Sequence, residues 1–397
     1  MQTALAFNPG SNSIRFDLVE LPAHQTRAGE GKKSFSALIE NLSDHAALKI
    51  FNPASGEVTH TESHAIPNIA GAAHFALDLL RQQPGRLDQL TFAGVRVVHG
   101  GSLYTGAARV DARVLRDIES LEELAPLHNR SSLEILHALA EALPDIPAFV
   151  TFDTAFHLTL PETAWRYPIE RETADRQGIR KFGFHGLSHR YMLEQYAHTV
   201  GKRPADVTLV TLHLESGSSA AAIRNGQSVD TTMGFTPLEG LMMGSRSGSI
   251  DPAILPFLMR KEDKSAEDIL TLLNKHSGLL GIAGGSLDTR ELVKREDPWA
   301  RLALEMFGYR VRLAVGAYLA ALGDAEAIGE DSPWLRTQVC AGLTGWGLEL
   351  DSALNDRSIE GQVHLSKPSG RLQAWSMPVE EALQLAFECR LARDESR

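Results

Sequence analysis

The sequence predicts an α/β protein of two domains, and three observations carry that expectation. Strand patterns and amphipathic helix patterns alternate along most of the chain, which joins antiparallel hairpins to βα units. Two hairpins with small-residue tips recur about half a chain apart and point to two similarly built halves. The length of 397 residues, at roughly 150 per domain, favours two domains. No low-complexity linker separates them, and the boundary is set near residue 150.

The first strand pattern covers residues 3–7, breaks at Asn8-Pro9-Gly10-Ser11-Asn12-Ser13, and resumes over 14–18 as the return of a hairpin. Helical apolar spacing follows over 72–81, 112–124 and 131–143, where Ser131 and Glu134 read as a capping box opening the last of these. Strands fit 94–98 and 148–152. The second hairpin runs over 207–214, turns at Glu215-Ser216-Gly217-Ser218-Ser219, and returns over 220–223. Asn225-Gly226 then favours a type I′ turn into another short strand. Residues 300–322 form a long amphipathic helix with Leu304, Phe307, Val311, Val315 and Leu319 on one side. An apolar strand is expected near 338–341, followed by the turn Gly342-Leu343-Thr344-Gly345-Trp346-Gly347.

Composition narrows the chemistry. With 39 Lys+Arg against 50 Asp+Glu the net charge is −11, which argues against a nucleic-acid binder and its basic stripe. Two cysteines, Cys340 and Cys389, cannot build a disulfide framework, so a reduced, cytoplasmic protein is expected. Residues 1–7 lack a secretory leader, and no apolar run approaches the roughly 18 residues that span a membrane. An anionic substrate must therefore be met by a few placed arginines.

Several residues are candidates for that task. A Gly/Ser tip can bring backbone N–H groups to phosphate oxygens, or be a plain turn. No Walker-type loop occurs. In Arg96-Val97-Val98-His99-Gly100-Gly101 a guanidinium sits in a strand that ends in glycines, suited to an anion or to a structural ion pair. Arg246, in Met243-Gly244-Ser245-Arg246-Ser247-Gly248, is placed as a catalytic finger or as a surface arginine. Asp153 follows a strand at its carboxyl end, where open α/β sheets hold ligands; turn and cap residues occupy such positions too. His185 and His189 are four apart, but Gly186 between them weakens a metal pair on a helix. His185 reads better as a donor to developing charge, or as a structural histidine.

Taken in order, these segments become specific. Asn8 to Arg15, Arg96 to Gly101, Ala125-Pro126-Leu127-His128-Asn129, Phe152 to His157, Gly183-Phe184-His185-Gly186, the run from Ser228 through Asp230-Thr231-Thr232-Met233-Gly234-Phe235-Thr236-Pro237-Leu238-Glu239-Gly240 to Arg246, and Asn274 to Arg290 resemble the acetate/propionate kinase family. The resemblance covers most of the chain and weakens at about 20–65 and after 340. It implies the fold of the actin, Hsp70 and sugar-kinase superfamily: two related, ribonuclease H-like ATPase domains flanking a cleft. The first would span 1–150 and be completed by a C-terminal helix over about 384–397; the second, 151–383, would carry the main nucleotide loops. Homodimers are implied as well.

Carried over by motif, the resemblance implies Asp153 as the active-site carboxylate, with Arg96 and Arg246 holding the acyl carboxylate and the migrating phosphoryl group. His185 and Arg246 would stabilise the transition state. Val98, Leu127, Phe184 and Pro237 would form a small pocket for the acyl methyl. Mg2+ or Mn2+ would sit near Asn8 and a C-terminal glutamate, matched best by Glu380, with Glu381 one register away. ATP/ADP would meet Arg15, the loop His213-Leu214-Glu215-Ser216-Gly217, the segment Asp288-Thr289-Arg290 and the loop Gly342-Leu343-Thr344-Gly345-Trp346.

Departures from the family pattern cluster on the donor side. Glu215 puts a carboxylate where phosphate oxygens approach, and like charges oppose binding unless it turns away or binds a cation. Trp346 stands where the family has asparagine, either stacking on adenine or filling its pocket. Asn12, Arg15, Val95, Arg130 and Ser249 also replace the usual residues. Three readings follow: ATP-dependent phosphorylation of acetate or propionate, the same acyl chemistry with pyrophosphate as donor, or a non-catalytic paralogue.

Overall fold

The computed structural model describes the chain apart from residues 84, 324, 330–332, 356–360, 368 and 397, and apart from the side chains at 126–127, 328–329 and 333–334. Contacts divide it into two units, 1–158 with 186–191 and 379–397, and 159–185 with 192–378.

The first unit is organised by an eight-stranded sheet. β1 (Gln2–Pro9) and β2 (Ser13–Leu21) make the opening hairpin, with Asn8 opposite Arg15. β3 (Lys32–Glu40), β4 (Ser43–Phe51) and β5 (Val58–Ile66) continue outward as antiparallel neighbours. On the other side of β1 lie β6 (Leu90–Val97) and β8 (Ala148–Phe152), both parallel to it, with the short β7 (Ala108–Arg109) at the edge.

Side-chain alternation along β1 decides which helix covers which face. Leu5 and Phe7 share a core with α1 (Ile69–Arg81) and α3 (Pro126–Ala142). Ala4 and Ala6 point the other way, into a core with Leu385, Ala386 and Cys389 of the C-terminal helix Glu381–Glu395. Close approach of that helix needs a bare backbone at Gly94. A Cβ there would lie 2.6 Å from Leu385 Cδ2 and 2.9 Å from Cys389 Sγ. α2 (Ala112–Ser120) stops four residues short of its expected end. α3 begins at Pro126 rather than 131, because proline at the first turn opens the helix earlier. Ser131 is therefore a buried helical residue and not a cap.

A six-stranded sheet organises the second unit, in the order β11-β10-β9-β12-β14-β13. β9 (Leu209–Leu214), β10 (Ser218–Arg224) and β11 (Gln227–Thr231) are antiparallel, and β12 (Ala327–Gly329) and β14 (Gln373–Ser376) run parallel to β9. β13 (Val363–His364) closes the edge. Asn225 and Gly226 both have positive φ, 51° and 76°, as a type I′ turn requires. The arrangement repeats that of the first unit: a hairpin whose first strand is followed, on the side away from its partner, by two strands parallel to it.

The long helix Pro298–Leu322 buries Leu304, Phe307, Val311, Val315 and Leu319 as the periodicity predicts. The strand expected at 338–341 does not form; the segment closes the helix Pro333–Cys340. Leu335, Val339 and Cys340 are buried at i, i+4 and i+5, a helical face that a four-residue window cannot separate from a buried strand.

Candidate active site

Asn8, Arg96 and Asp153 sit at the carboxyl ends of β1, β6 and β8, three adjacent parallel strands. Arg96 clamps Asp153 in both oxygens, Nε to Oδ1 at 2.7 Å and Nη2 to Oδ2 at 2.6 Å. Its third nitrogen, Nη1, donates to Asn8 Oδ1 at 2.8 Å and to Glu381 Oε2 at 3.2 Å. Asn8 Nδ2 in turn donates to Glu381 Oε2 at 2.6 Å, and the Ser188 hydroxyl donates to Glu381 Oε1. Asp153 is 1% exposed, so its charge depends on this bidentate partner.

Glu381, the first residue of the C-terminal helix, is thus the glutamate that meets Asn8. Glu380 stands at the N-cap position of that helix without a side-chain capping bond and pairs with Lys33 Nζ at 2.7 Å, so the glutamate beside Asn8 lies one residue from the one expected. Arg15 is also committed elsewhere: its Nη2 donates to Ser36 Oγ at 3.1 Å and the guanidinium lies 5.0 Å from the Phe51 ring centre. Beside it, burial raises the carboxyl pKa of Asp17 against the pull of Arg15. Val98 is buried just past β6, and Leu127 falls in the first turn of α3. Asn129 pins this region, accepting from His99 N at 3.0 Å and donating to His99 O at 2.9 Å.

The formal charges of Arg96, Asp153 and Glu381 sum to −1. Hard amide and carboxylate oxygens with a net negative charge suit a divalent cation that keeps waters and phosphate oxygens as its other ligands. Among the described residues no three His, Cys, Asp or Glu form a complete protein cage.

The second unit gathers a different set. His185 adopts φ 58° immediately before the helix Gly186–Thr199, and its Nδ1 lies 2.9 Å from Ser219 Oγ. Its ring centre is 4.2 Å from that of His213. The β9–β10 tip brings these together with Arg246: a Cβ at Gly217 would lie 3.3 Å from His185 Nε2 and 3.6 Å from Arg246 Nη1. Arg246 Nη1 donates to Pro237 O at 3.1 Å, so the loop proline fixes the arginine by its carbonyl. Burial lowers the Arg246 pKa, but a guanidinium stays charged in protein. Phe184 is buried one residue before His185. His157 and His189, both fully buried in the first unit, pack edge to face at 5.5 Å.

At the tip, Leu214 is half-buried, whereas Glu215 and Ser216 are exposed. Glu215 is close enough to Arg290 to help raise its pKa, though the larger cause is the bidentate pair with Asp288, Nη2 to Oδ2 at 2.7 Å. Asp288 caps the one-turn helix that opens at Thr289. Glu215 is thus an exposed carboxylate in the neighbourhood of Arg290.

Gly342-Leu343-Thr344-Gly345-Trp346 lies elsewhere. Trp346 lines a cavity with Ala325, which precedes β12, and Leu372, which precedes β14. Those are the amino ends of strands parallel to β9, whereas the His213 to Gly217 tip leaves β9 at its carboxyl end. Six residues of β9 at about 3.3 Å each separate the two ends by on the order of 20 Å. The loop also follows a helix instead of a strand, with Arg312 packed on Gly342, where a Cβ would come within 2.2 Å of Arg312 Cδ. The loop expected to meet adenosine thus lies at the opposite end of β9 from the β9–β10 tip.

A family model, described as the acetokinase family, matches residues 3–387. The chain belongs to the acetokinase family. It is 40% identical over 416 residues to an acetate kinase of Chloroherpeton thalassium, covering 98% of this chain and 99% of that protein. An acetate kinase of Bacillus subtilis is 38% identical over 405 residues, covering 99% and 100%. Among solved structures, Porphyromonas gingivalis acetate kinase superposes with a TM-score of 0.89 at 32% identity, covering 99% and 100%. A propionate kinase from Francisella tularensis gives 0.88 at 30%, covering 98% and 99%. The acetokinase chain accordingly has the actin-like ATPase fold.

Within this acetokinase, sequence reasoning missed Ser188, whose hydroxyl holds Glu381, and Ser132, whose Oγ donates to Arg96 O at 2.8 Å. Both lie within or beside motifs, but only the fold shows what they touch.

Proposed function

We propose that this chain transfers the γ-phosphoryl group of ATP to acetate or propionate, giving an acyl phosphate and ADP by direct, reversible in-line transfer. The observation that carries the reading is the convergence of Arg246 and His185 on the backbone at Gly217, within a fold and family shared with acetate and propionate kinases. Transfer from a polyphosphate to a carboxylate spreads charge over three equatorial oxygens, and fixed cationic and N–H donors lower its barrier without reorganising. Arg246 and His185 are assigned to those oxygens.

Arg96 is assigned to the substrate carboxylate, and Asp153 holds its fork in plane. No strong base is needed, since the acceptor is already ionised at neutral pH. Val98, Leu127, Phe184 and Pro237 are assigned to the acyl chain and favour two or three carbons. Nucleotide phosphates are assigned to the tip His213 to Gly217 and the segment Asp288 to Arg290. Mg2+ or Mn2+, when bound, neutralises phosphate oxygens during transfer, and the oxygens of Asn8 and Glu381 are its assigned protein partners.

The pyrophosphate alternative rested on Trp346 in the adenosine space, and its distance from the phosphate loop removes that support. A non-catalytic role is disfavoured by the intact Arg96, Asp153 and Glu381 cluster. We also assign a homodimer, supported by an exposed apolar stripe on the long helix at Trp299, Leu302, Tyr309 and Leu313. A cytoplasmic location fits a chain with only two cysteines, and no helix among the described residues is long and apolar enough to cross a membrane.

Hydroxamate trapping of acyl phosphate tests the reading, with acetate, propionate and butyrate each paired with ATP, GTP or pyrophosphate. Product from ATP with acetate or propionate, and little from butyrate, is expected. No product with any donor would overturn it.

A further inference from the structure

Residues 232–240 follow β11 and belong to no strand or helix. The carbonyl of Pro237 nevertheless fixes the Arg246 guanidinium, whose Nη1 donates to it at 3.1 Å. A side chain from outside the loop holds that carbonyl in place. Tyr167, between the helices Glu162–Trp165 and Arg171–Gln177, donates its hydroxyl to the Glu239 carboxylate. The same oxygen accepts from Phe235 N at 2.8 Å. One phenol oxygen thereby ties both ends of the segment 235–239 around Pro237.

The tie passes over Gly234. A Cβ there would overlap both the Glu239 carboxylate and the Tyr167 hydroxyl, so only glycine leaves room for their bond. Gly234 O in turn accepts from Phe182 N at 3.0 Å and from Gly183 N at 3.4 Å, in the segment that leads to His185. The backbone that orients Arg246 and the backbone leading to His185 are thus joined beside Tyr167. Burial, with the Glu239 carboxylate next to it, raises the Tyr167 hydroxyl pKa, so the phenol keeps its proton and stays a donor at neutral pH.

We propose that Tyr167 and Glu239 are positioning residues for Arg246, which act through the loop by holding the Pro237 carbonyl where it aims the guanidinium at the migrating phosphoryl group. The inference rests on the assignment of Arg246 to the transferring oxygens. An arginine misplaced by about 1 Å loses much of its hold on a transition state, on the order of 10²-fold in rate.

Acyl phosphate formation from ATP and acetate by the full chain tests this in a double-mutant cycle. Tyr167→Phe removes only the hydroxyl and is expected to lower kcat about 30- to 100-fold, with the ATP KM changed less than about twofold. In an Arg246→Ala background the same change is expected to cost less than about twofold, because the group it positions is gone. Glu239→Gln still accepts from the phenol and is expected to keep turnover within about threefold of the unmodified chain. Glu239→Ala is expected to match Tyr167→Phe, and serves in its place if that variant melts below the assay temperature. Full turnover by both Tyr167→Phe and Glu239→Ala, or an equal loss with and without Arg246, overturns the positioning role and leaves the proposed reaction standing. No product from the unmodified chain overturns both.

Discussion

At the scale of single residues, the strongest constraint is the bidentate clamp between Arg96 and a fully buried Asp153. Arg96→Lys keeps the charge but not the planar fork, so Asp153, Asn8 and Glu381 cannot all be satisfied at once. Turnover is expected to fall about 10²- to 10³-fold, in line with removing one preorganised donor. Arg96→Ala removes the bidentate partner of the buried Asp153 carboxylate and is expected to cost about 3–5 kcal/mol of stability as well, read from denaturant midpoints. Asp17 behaves in the opposite sense. Burial raises its pKa above that of the unfolded chain, so its favourable contribution is present below the unfolded value and lost as pH rises through the folded one. Asp17→Asn should therefore raise the melting temperature at neutral pH, with the gain shrinking as the medium is made acid. Equal gains at all pH values would remove burial of the charge as its cause. Arg96, Asp153, His185 and Arg246 were singled out where motif and chemistry coincided, and the structure joins Arg96 to Asp153 and brings His185 and Arg246 to Gly217. Glu381 was ambiguous by one position, since only helix phase separates it from Glu380, and phase depends on where the helix starts.

At the scale of elements, most strands and helices were legible but their ends often were not: the strand expected over 94–98 spans Leu90–Val97. The β8 span matches its pattern residue for residue, and the Asn225-Gly226 turn follows from its dipeptide. By contrast Ser131 and Glu134 mimic a cap inside α3, where the proline at 126 had already opened the helix. The misread segment 338–341 precedes the loop Gly342 to Trp346, whose nucleotide role was implied by resemblance of its motif and not by the element before it. Two predictions test the corrected placement. Glu215→Gly removes an exposed carboxylate from the phosphate tip and should lower the ATP KM about two- to fivefold, the scale of one screened surface charge; Trp346→Asn should leave that KM unchanged. Comparable shifts in both would return Trp346 to the nucleotide site. Gly94→Val forces a side chain into Leu385 and Cys389, an overpacking expected to cost about 1–3 kcal/mol. Because the displaced helix carries Glu381, the Mg2+ concentration for half-maximal turnover should rise together with the loss of stability.

At the scale of the whole molecule, the long helix Pro298–Leu322 presents two different stripes. One buries Leu304, Phe307, Val311, Val315 and Leu319 in its own unit. The other carries Trp299 at 61%, Leu302 at 40%, Tyr309 at 51% and Leu313 at 52% exposure, with the half-buried Met306 between them. Positions 299, 302, 306, 309 and 313 alternate by three and four residues, the a/d spacing of a helix that packs against another helix. Composition alone hid this, because an amphipathic reading stops once one apolar side is found. A row of large apolar side chains over four turns exceeds the scattered exposure of a monomer, and a second copy around a two-fold axis is the simplest cover, since each stripe then meets its own image. Leu302→Glu with Leu313→Glu places four carboxylates in such an interface. Light scattering should then report the 43.3 kDa chain alone, whereas the unmodified protein is expected at twice that mass. If the double variant keeps the larger mass, the dimer contact lies on another face and the stripe is covered by something else.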